Sequence, residues 1–255
     1  DKYKAYKNVL TEMENPRISL DANAYSIIFD IADKKETDDI LDFIKENMWI
    51  DFGSTLLYPP EVSNGYNWPH NRHIWPFVVS FEVEARMKNR DMDSALDLLK
   101  RCWGAMIDSG SRTFWEVIDR ESGNFMERKL FQSDDELDAW NSYCHGWSAG
   151  VSYLMQAYIA GIRPLTPGFK TFLVEPQPAD LDLIDCKVPT PAGEIKLKME
   201  RNDNNTHYRC CLNVPKGTEA RIELNSDNFE EKYDYFKQDE QDRIKISTGN
   251  YKFIF

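Results

Sequence analysis

The residues best suited to chemistry fall in three clusters. Ser111-Arg112-Thr113-Phe114-Trp115-Glu116 follows a helical stretch that ends near Asp108-Ser109-Gly110. A Glu beside a Trp at the mouth of a helix pair is held partly out of water, which suits it to general acid-base work. Glu116 is therefore the principal candidate for a base. The blander reading is a solvated turn carboxylate, the fate of most glutamates. Asp119 and Glu121 are close enough in sequence to compete, but neither has a comparable aromatic partner.

The second cluster is a loop running from Tyr58 to Phe77, where Pro and Gly forbid regular structure across most of the length. It carries Trp68, His73 and Trp75 among Asn, Arg and His side chains. Flat aromatic faces flanked by polar groups match a sugar, whose C–H face packs on a ring while its hydroxyls take hydrogen bonds. The alternative for each ring is that it plugs a helix-pair core. The third cluster is Ser142-Tyr143-Cys144-His145-Gly146-Trp147-Ser148-Ala149-Gly150, at the start of a helix. Its small residues allow close backbone approach, so His145 can be aimed inward to hydrogen-bond a water or a sugar hydroxyl. As a lone imidazole near an apolar face it is otherwise a satisfied core residue. His70, His73 and His207 lack metal-ligand spacing, so no metal is expected. The sequence has no G-x-S-x-G elbow, Walker loop or G-x-G-x-x-G, which leaves serine hydrolysis, nucleotide hydrolysis and dinucleotide chemistry without support.

The elements that must position these clusters change character near residue 163. All seven tryptophans lie before residue 150, and seven of the twelve prolines lie from Pro164 onward. In the first part, Ile74, Phe77, Val78, Phe81 and Ala85 fall on one helical face. Met92, Ala95, Leu96, Leu99, Trp103 and Met106 fall on another. Between them Asn89-Arg90-Asp91 supplies a turn, with Asp91 as N-cap, which predicts a helical hairpin. Residues 21–32 and 37–47 repeat the arrangement, with Thr37 as cap, and Val151, Leu154, Met155, Tyr158 and Ile159 mark one more helix, stopped by Gly161 and Pro164. From Pro164 the period is two: Ile195, Leu197, Met199, then Tyr208, Cys210, Leu212, Val214, then Ala220, Ile222, Leu224, and finally Tyr251, Phe253, Phe255. No helical pattern separates these strands, which favours an antiparallel β-sandwich over a parallel sheet. The expected organisation is helical hairpins over residues 1–163 and a β-sandwich over 164–255.

Thirty-one Lys plus Arg against 43 Asp plus Glu give a net charge of −12, which disfavours nucleic acid as a partner. No apolar run approaches the ~18–20 residues of a membrane helix, so no span is expected. Nor does Asp1-Lys2-Tyr3-Lys4-Ala5-Tyr6 open with a signal-peptide pattern. The five cysteines match neither a zinc site nor a disulfide scaffold, and Cys210 and Cys211 should face opposite sides of one strand.

Taken in order, Thr113-Phe114-Trp115-Glu116, His145-Gly146-Trp147-Ser148-Ala149-Gly150, Ala160-Gly161-Ile162-Arg163-Pro164, Pro167-Gly168-Phe169 and Glu175-Pro176-Gln177-Pro178 resemble the C-terminal half of bacterial α-L-rhamnosidases of glycoside hydrolase family 78. The resemblance implies part of an (α/α)6 barrel of helical hairpins followed by a C-terminal antiparallel β-sandwich. It also implies an inverting hydrolase that removes terminal α-L-rhamnose from glycosides or polysaccharides without a cofactor. By that resemblance Glu116 takes the role of general base and His145 lies in the same pocket. Trp68, His73, Trp75, Trp115 and Trp147 are the expected carbohydrate contacts.

The chain departs from the family pattern in length. Only five or six helical segments fit before residue 163, about half of a complete barrel, and the general acid belongs to the half that is missing. Alone, the fragment is expected to be inactive, and its exposed helical face should pair with the missing half or with a second copy. Location is open; relatives of this type are often periplasmic or exported. Two other readings remain: another six-hairpin, glucoamylase-like glycosidase, since Asn71 to Phe77 is reminiscent of that group's Trp-Pro loops, and a non-catalytic carbohydrate-binding module.

Overall fold

The computed structural model describes residues 4–8, 17–60, 73–126, 141–202, 204, 207–223, 237–238 and 243–254 of the 255-residue chain. Trp68, Leu224 and Phe255 therefore lie outside the described residues. Helices come first and sheets follow, in two compact units, Asp1–Ser152 and Tyr153–Phe255.

In the first unit, β1 (Ile18–Ser19) leads into α1 (Leu20–Ile28), and α2 (Lys34–Asn47) follows. The cap of α2 is Asp33, not Thr37. The Asp33 carboxylate accepts from the Glu36 amide at 2.8 Å, while the Glu36 carboxylate accepts from the Asp33 amide at 3.0 Å. This reciprocal box satisfies two otherwise orphaned donors, so the helix starts a turn earlier than a lone Thr cap would set it and Thr37 is buried inside it. Leu20, Ala24 and Ile27 of α1 meet Ile40, Leu41 and Ile44 of α2 in one apolar cluster. Three short strands, β2 (Trp49–Ile50), β3 (Gly53–Ser54) and β4 (Leu57–Tyr58), carry the chain onward; β2 pairs with β3, and β4 with β1.

Helix α3 (Pro76–Lys88) starts on Trp75 with Pro76 at its first position, where a missing N–H costs nothing. Its buried residues differ from the face read from spacing. Val79, Val83, Ala85 and Met87 are fully buried, whereas Phe77, Val78 and Phe81 are half-buried. The reason is that α3 is contacted from more than one side, by α1 and by α4 (Met92–Leu99), so a single stripe does not describe it. It also buries Glu82 and Arg86, an ion pair at 2.7 Å with 0% and 1% of the side chains exposed. The Asp91 carboxylate caps α4 by accepting from Ser94 N–H, and Arg90 makes the intervening turn at φ 63°.

The expected helix does run through Met106, but with a π-helical turn inside it: the backbone stays right-handed helical at Leu99, Lys100, Gly104 and Ala105. After α4 comes a π-helical turn, Lys100–Gly104, and then α5 (Ala105–Asp108). Ahead of the turn Leu98 rather than Leu99 is buried; within it the extra residue advances the helix face, and both Cys102 and Trp103 reach the interior. A 3-10 turn, Gly146–Ala149, and α6 (Gly150–Leu154) end the helical part and lead into a π-turn at Met155–Ile159. Among the described residues, no helix is long and apolar enough to cross a membrane.

The second unit holds β5 (Ile162–Pro164), β6 (Thr171–Val174), β7 (Leu183–Thr190), β8 (Gly193–Arg201), β9 (Tyr208–Val214), β10 (Glu219–Ile222), β11 (Lys237–Gln238), β12 (Ile244–Ile246) and β13 (Gly249–Ile254). They form two sheets, ordered β11-β12-β10-β6-β5 and β13-β9-β8-β7. Ile195, Leu197 and Met199 are buried while Glu194, Lys196, Lys198 and Glu200 are exposed, as period two requires. Likewise Cys210 is buried and Cys211 exposed, and burial pushes the Cys210 thiol up to about 12. Pro164 and Pro189 sit in the edge strands β5 and β7, where a lost ladder donor is tolerated.

One pair corrects the wholly antiparallel expectation: β6 and β10 run parallel, with Phe172 opposite Ala220 and Val174 opposite Ile222. A parallel pair needs a long crossover, and here residues 175–218, which include the whole β7–β8–β9 meander of the other sheet, provide one. A helix is not the only element that can return a chain.

Candidate active site

The Glu116 segment is held from two sides by backbone pairing. On one side, a line of isolated antiparallel bridges runs Thr55–Ile74–Ile118–Phe125. Ile74 and Ile118 exchange both amide bonds, at 3.1 and 2.9 Å, and both side chains are fully buried. On the other side, residues 113–116 are zipped to 142–145. The Glu116 amide donates to the Ser142 carbonyl at 2.9 Å, the His145 amide donates to the Phe114 carbonyl at 2.8 Å, and the Thr113 hydroxyl donates to the Tyr143 carbonyl.

This zipper brings together the two residues that spacing alone left 29 positions apart. Glu116 Oε2 accepts the Ser142 amide at 2.7 Å and lies 3.9 Å from His145 Nδ1. Their side chains keep 22% and 26% of their exposure, so both are sheltered yet reachable. A carboxylate fixed by a backbone donor and facing an imidazole is an arrangement that can orient and deprotonate a water.

The other expected contacts fall in different environments. His145 stacks edge-on to Trp147 at 5.4 Å between centroids, and Trp147, itself 67% exposed, lies 5.0 Å from Phe77. Trp75 is half-buried at the start of α3. Trp115 is 4% exposed and packs edge-on to Phe125, which in turn stacks on Tyr143. As a direct carbohydrate contact it is therefore displaced by its neighbours: a ring covered on this scale has no open face to offer.

His73 Nδ1 lies 3.5 Å from Asp119 Oδ2. The other Asp119 oxygen accepts from Glu121 N–H, Ser122 N–H and the Ser122 hydroxyl at 2.9–3.1 Å. Burial raises the Asp119 carboxyl, but these Ser122 and Glu121 bonds and the His73 charge outweigh it and hold the group below its ordinary value. Asp119 is thus the hub of a turn rather than a rival base. Among the described residues no three His, Cys, Asp or Glu side chains cluster as a metal site would require.

Residues 161–234 match the family model for the bacterial alpha-L-rhamnosidase C-terminal domain. Over part of its length the chain is similar to α-L-rhamnosidases. It is 26% identical over 129 residues to an alpha-L-rhamnosidase of Streptomyces avermitilis, an alignment covering 49% of this chain and 11% of that protein. It is 28% identical over 129 residues to an alpha-L-rhamnosidase of Formosa agariphila, covering 50% and 13%. In structure it is similar to the Streptomyces avermitilis alpha-L-rhamnosidase solved with L-rhamnose, at a TM-score of 0.66, 18% identity and coverage of 95% of this chain and 22% of that one. A similar likeness holds to the alpha-L-rhamnosidase of Dictyoglumus thermophilum, at a TM-score of 0.63, 18% identity and coverage of 98% and 26%. At these identities the structural likeness speaks to fold, and the chain spans a small part of its relatives' length.

Three features of the site escaped the reading of spacing. The Ser142 amide that orients Glu116 is a backbone group, and only the pairing of 113–116 with 142–145 reveals it. The stacked Phe125–Tyr143 pair depends on the same pairing. Glu82 and Arg86, which the sequence reading did not single out, form a buried pair whose Glu82 accepts from Ser54 Oγ, one residue from Thr55 and the line of bridges.

Proposed function

We propose that this chain is the C-terminal part of a longer inverting glycoside hydrolase that removes terminal α-L-rhamnose from glycosides or polysaccharides. The observation that carries the reading is the Glu116–His145 pair, 3.9 Å apart with the carboxylate held by the Ser142 amide. Its similarity to the alpha-L-rhamnosidases of Streptomyces avermitilis and Formosa agariphila is the second support. Glu116 acts as general base on the water that attacks the anomeric carbon, and His145 holds that water or a sugar hydroxyl. Trp147, Trp75 and His73 line the sugar pocket, and Trp115 backs it from behind. The general acid lies outside this chain, across a gap of ~6.5–9.5 Å that leaves room for the water.

In this reading the helices are half of an (α/α)6 barrel and the two sheets pack as a β-sandwich. Phe29, Ile31 and Ile107 of the first unit are 66–71% exposed, which is costly at ~25 cal/mol for each Å² of apolar surface left in water. Their surface is the seam for the missing hairpins. Without that half the chain is inactive.

The test is turnover of an aryl α-L-rhamnoside by the full-length protein, with the product anomer followed by NMR. We expect β-L-rhamnose to appear first and Glu116→Gln to lower kcat by about 10³-fold or more while L-rhamnose still binds. Near-normal turnover by that variant refutes the assignment. Cleavage of aryl glucosides in preference to rhamnosides would instead favour a glucoamylase-like enzyme.

A further inference from the structure

We infer that Trp103 is a positioning residue for the Glu116–His145 pair, an inference that rests on the functional reading above. Trp103 lies in the π-helical turn Lys100–Gly104, and the extra residue of that turn brings its indole inward, to 4% exposure. Its Nε1 donates to the backbone carbonyl of Ser148 at 2.8 Å. Ser148 is fully buried, and its own amide donates to the His145 carbonyl at 3.0 Å. His145 in turn donates its amide to Phe114, two residues from Glu116. One buried donor thus pins the 3-10 turn that carries the imidazole.

Two details separate this from ordinary core packing. A buried indole N–H must find an acceptor, and here the acceptor belongs to the turn bearing His145 rather than to a neighbouring core side chain. The turn is also held tightly on its other side. A Cβ added at Gly150 would stand 2.8 Å from the Ser80 hydroxyl of α3, so the segment has little room to settle elsewhere. By contrast, the hydroxyl of Tyr208, 8% exposed on β9 of the second unit, donates to the Leu181 carbonyl of that same unit at 2.7 Å. The chain therefore contains its own control.

The experiment compares Trp103→Phe with Tyr208→Phe, which likewise keeps a ring and deletes a donor, in the full-length protein. Trp103→Phe keeps a ring and deletes the donor. Amide exchange over residues 145–149 should then accelerate about tenfold. On an aryl α-L-rhamnoside, kcat should fall about tenfold or more while KM stays within about twofold. Tyr208→Phe should lower the melting temperature and leave kcat per folded molecule unchanged. If Trp103→Phe gives that second pattern, or leaves exchange and kcat within about twofold of the parent, the inference is overturned. Should the Phe variant fail to fold, benzothienylalanine at position 103, which replaces the N–H by sulfur in the same shape, reads the same quantities. Full turnover by Glu116→Gln would defeat the functional reading separately, and the exchange data would still decide whether Trp103 holds the turn.

Discussion

Removing Arg86 tests the packing of the helical unit most sharply. Its side chain is 1% exposed and makes three charge-assisted bonds: Nε to Glu82 Oε1 at 2.8 Å, Nη1 to Asp91 Oδ2 at 2.7 Å and Nη2 to the Leu41 carbonyl at 2.9 Å. The guanidinium also lies 4.9 Å over the Trp49 ring. Arg86→Met keeps much of the stem but strands Glu82, which is 0% exposed and keeps only the Trp49 and Ser54 donors among its side-chain partners above. An unpaired buried charge of this kind costs ~3–5 kcal/mol. Replacing both partners, Glu82→Leu with Arg86→Met, removes the stranded charge and should cost less than the sum of the single changes by ~2 kcal/mol or more. Urea unfolding of the parent, both single variants and the double variant measures all four corners. Additivity within ~0.5 kcal/mol would refute the claim that the two charges are coupled. Because Glu82 binds Ser54 and Thr55 starts the line of bridges to Ile118, Arg86→Met should also loosen the Glu116 segment.

Other consequences follow from the second unit and from the turn beside the site. Gly161 sits at φ +70°, and a Cβ there would lie 2.0 Å from the Glu175 carbonyl oxygen, so Gly161→Ala should destabilise by at least ~2 kcal/mol, read from thermal unfolding; an unchanged melting temperature would contradict the close approach. Asp119 has a carboxyl held below its ordinary value, so its contribution to stability is complete above the unfolded value of ~3.9 and fades as pH falls through the lower folded one. Asp119→Asn should therefore be less stable than the parent at neutral pH, and the gap should close in acid. A gap independent of pH between 7 and 2.5 would show that the turn bonds do not depend on the charge.

Local chemistry was enough to determine the strands and much of the helical part. Alternation along 194–200 and 208–214 already separates buried from exposed residues, because a pleated strand projects neighbours to opposite faces whatever surrounds it. The Asp91 cap and the stop at Gly161 are local in the same sense. Glu116 and His145 stood out through their neighbours and through a family likeness, not through any spacing that joins them.

What the tertiary structure decided involves groups distant in the chain. The Ser142 amide on Glu116 and the indole of Trp103 on Ser148 span 26 and 45 residues. The parallel β6–β10 pair depends on where a whole meander returns the chain. Glu82 and Arg86 look like any solvent-facing pair four residues apart, and their burial is set by the helices and strands packed around them. Patterning fixes which face of an element is apolar; which polar groups are then trapped beneath it, and therefore must find one another, is settled only when the elements close together.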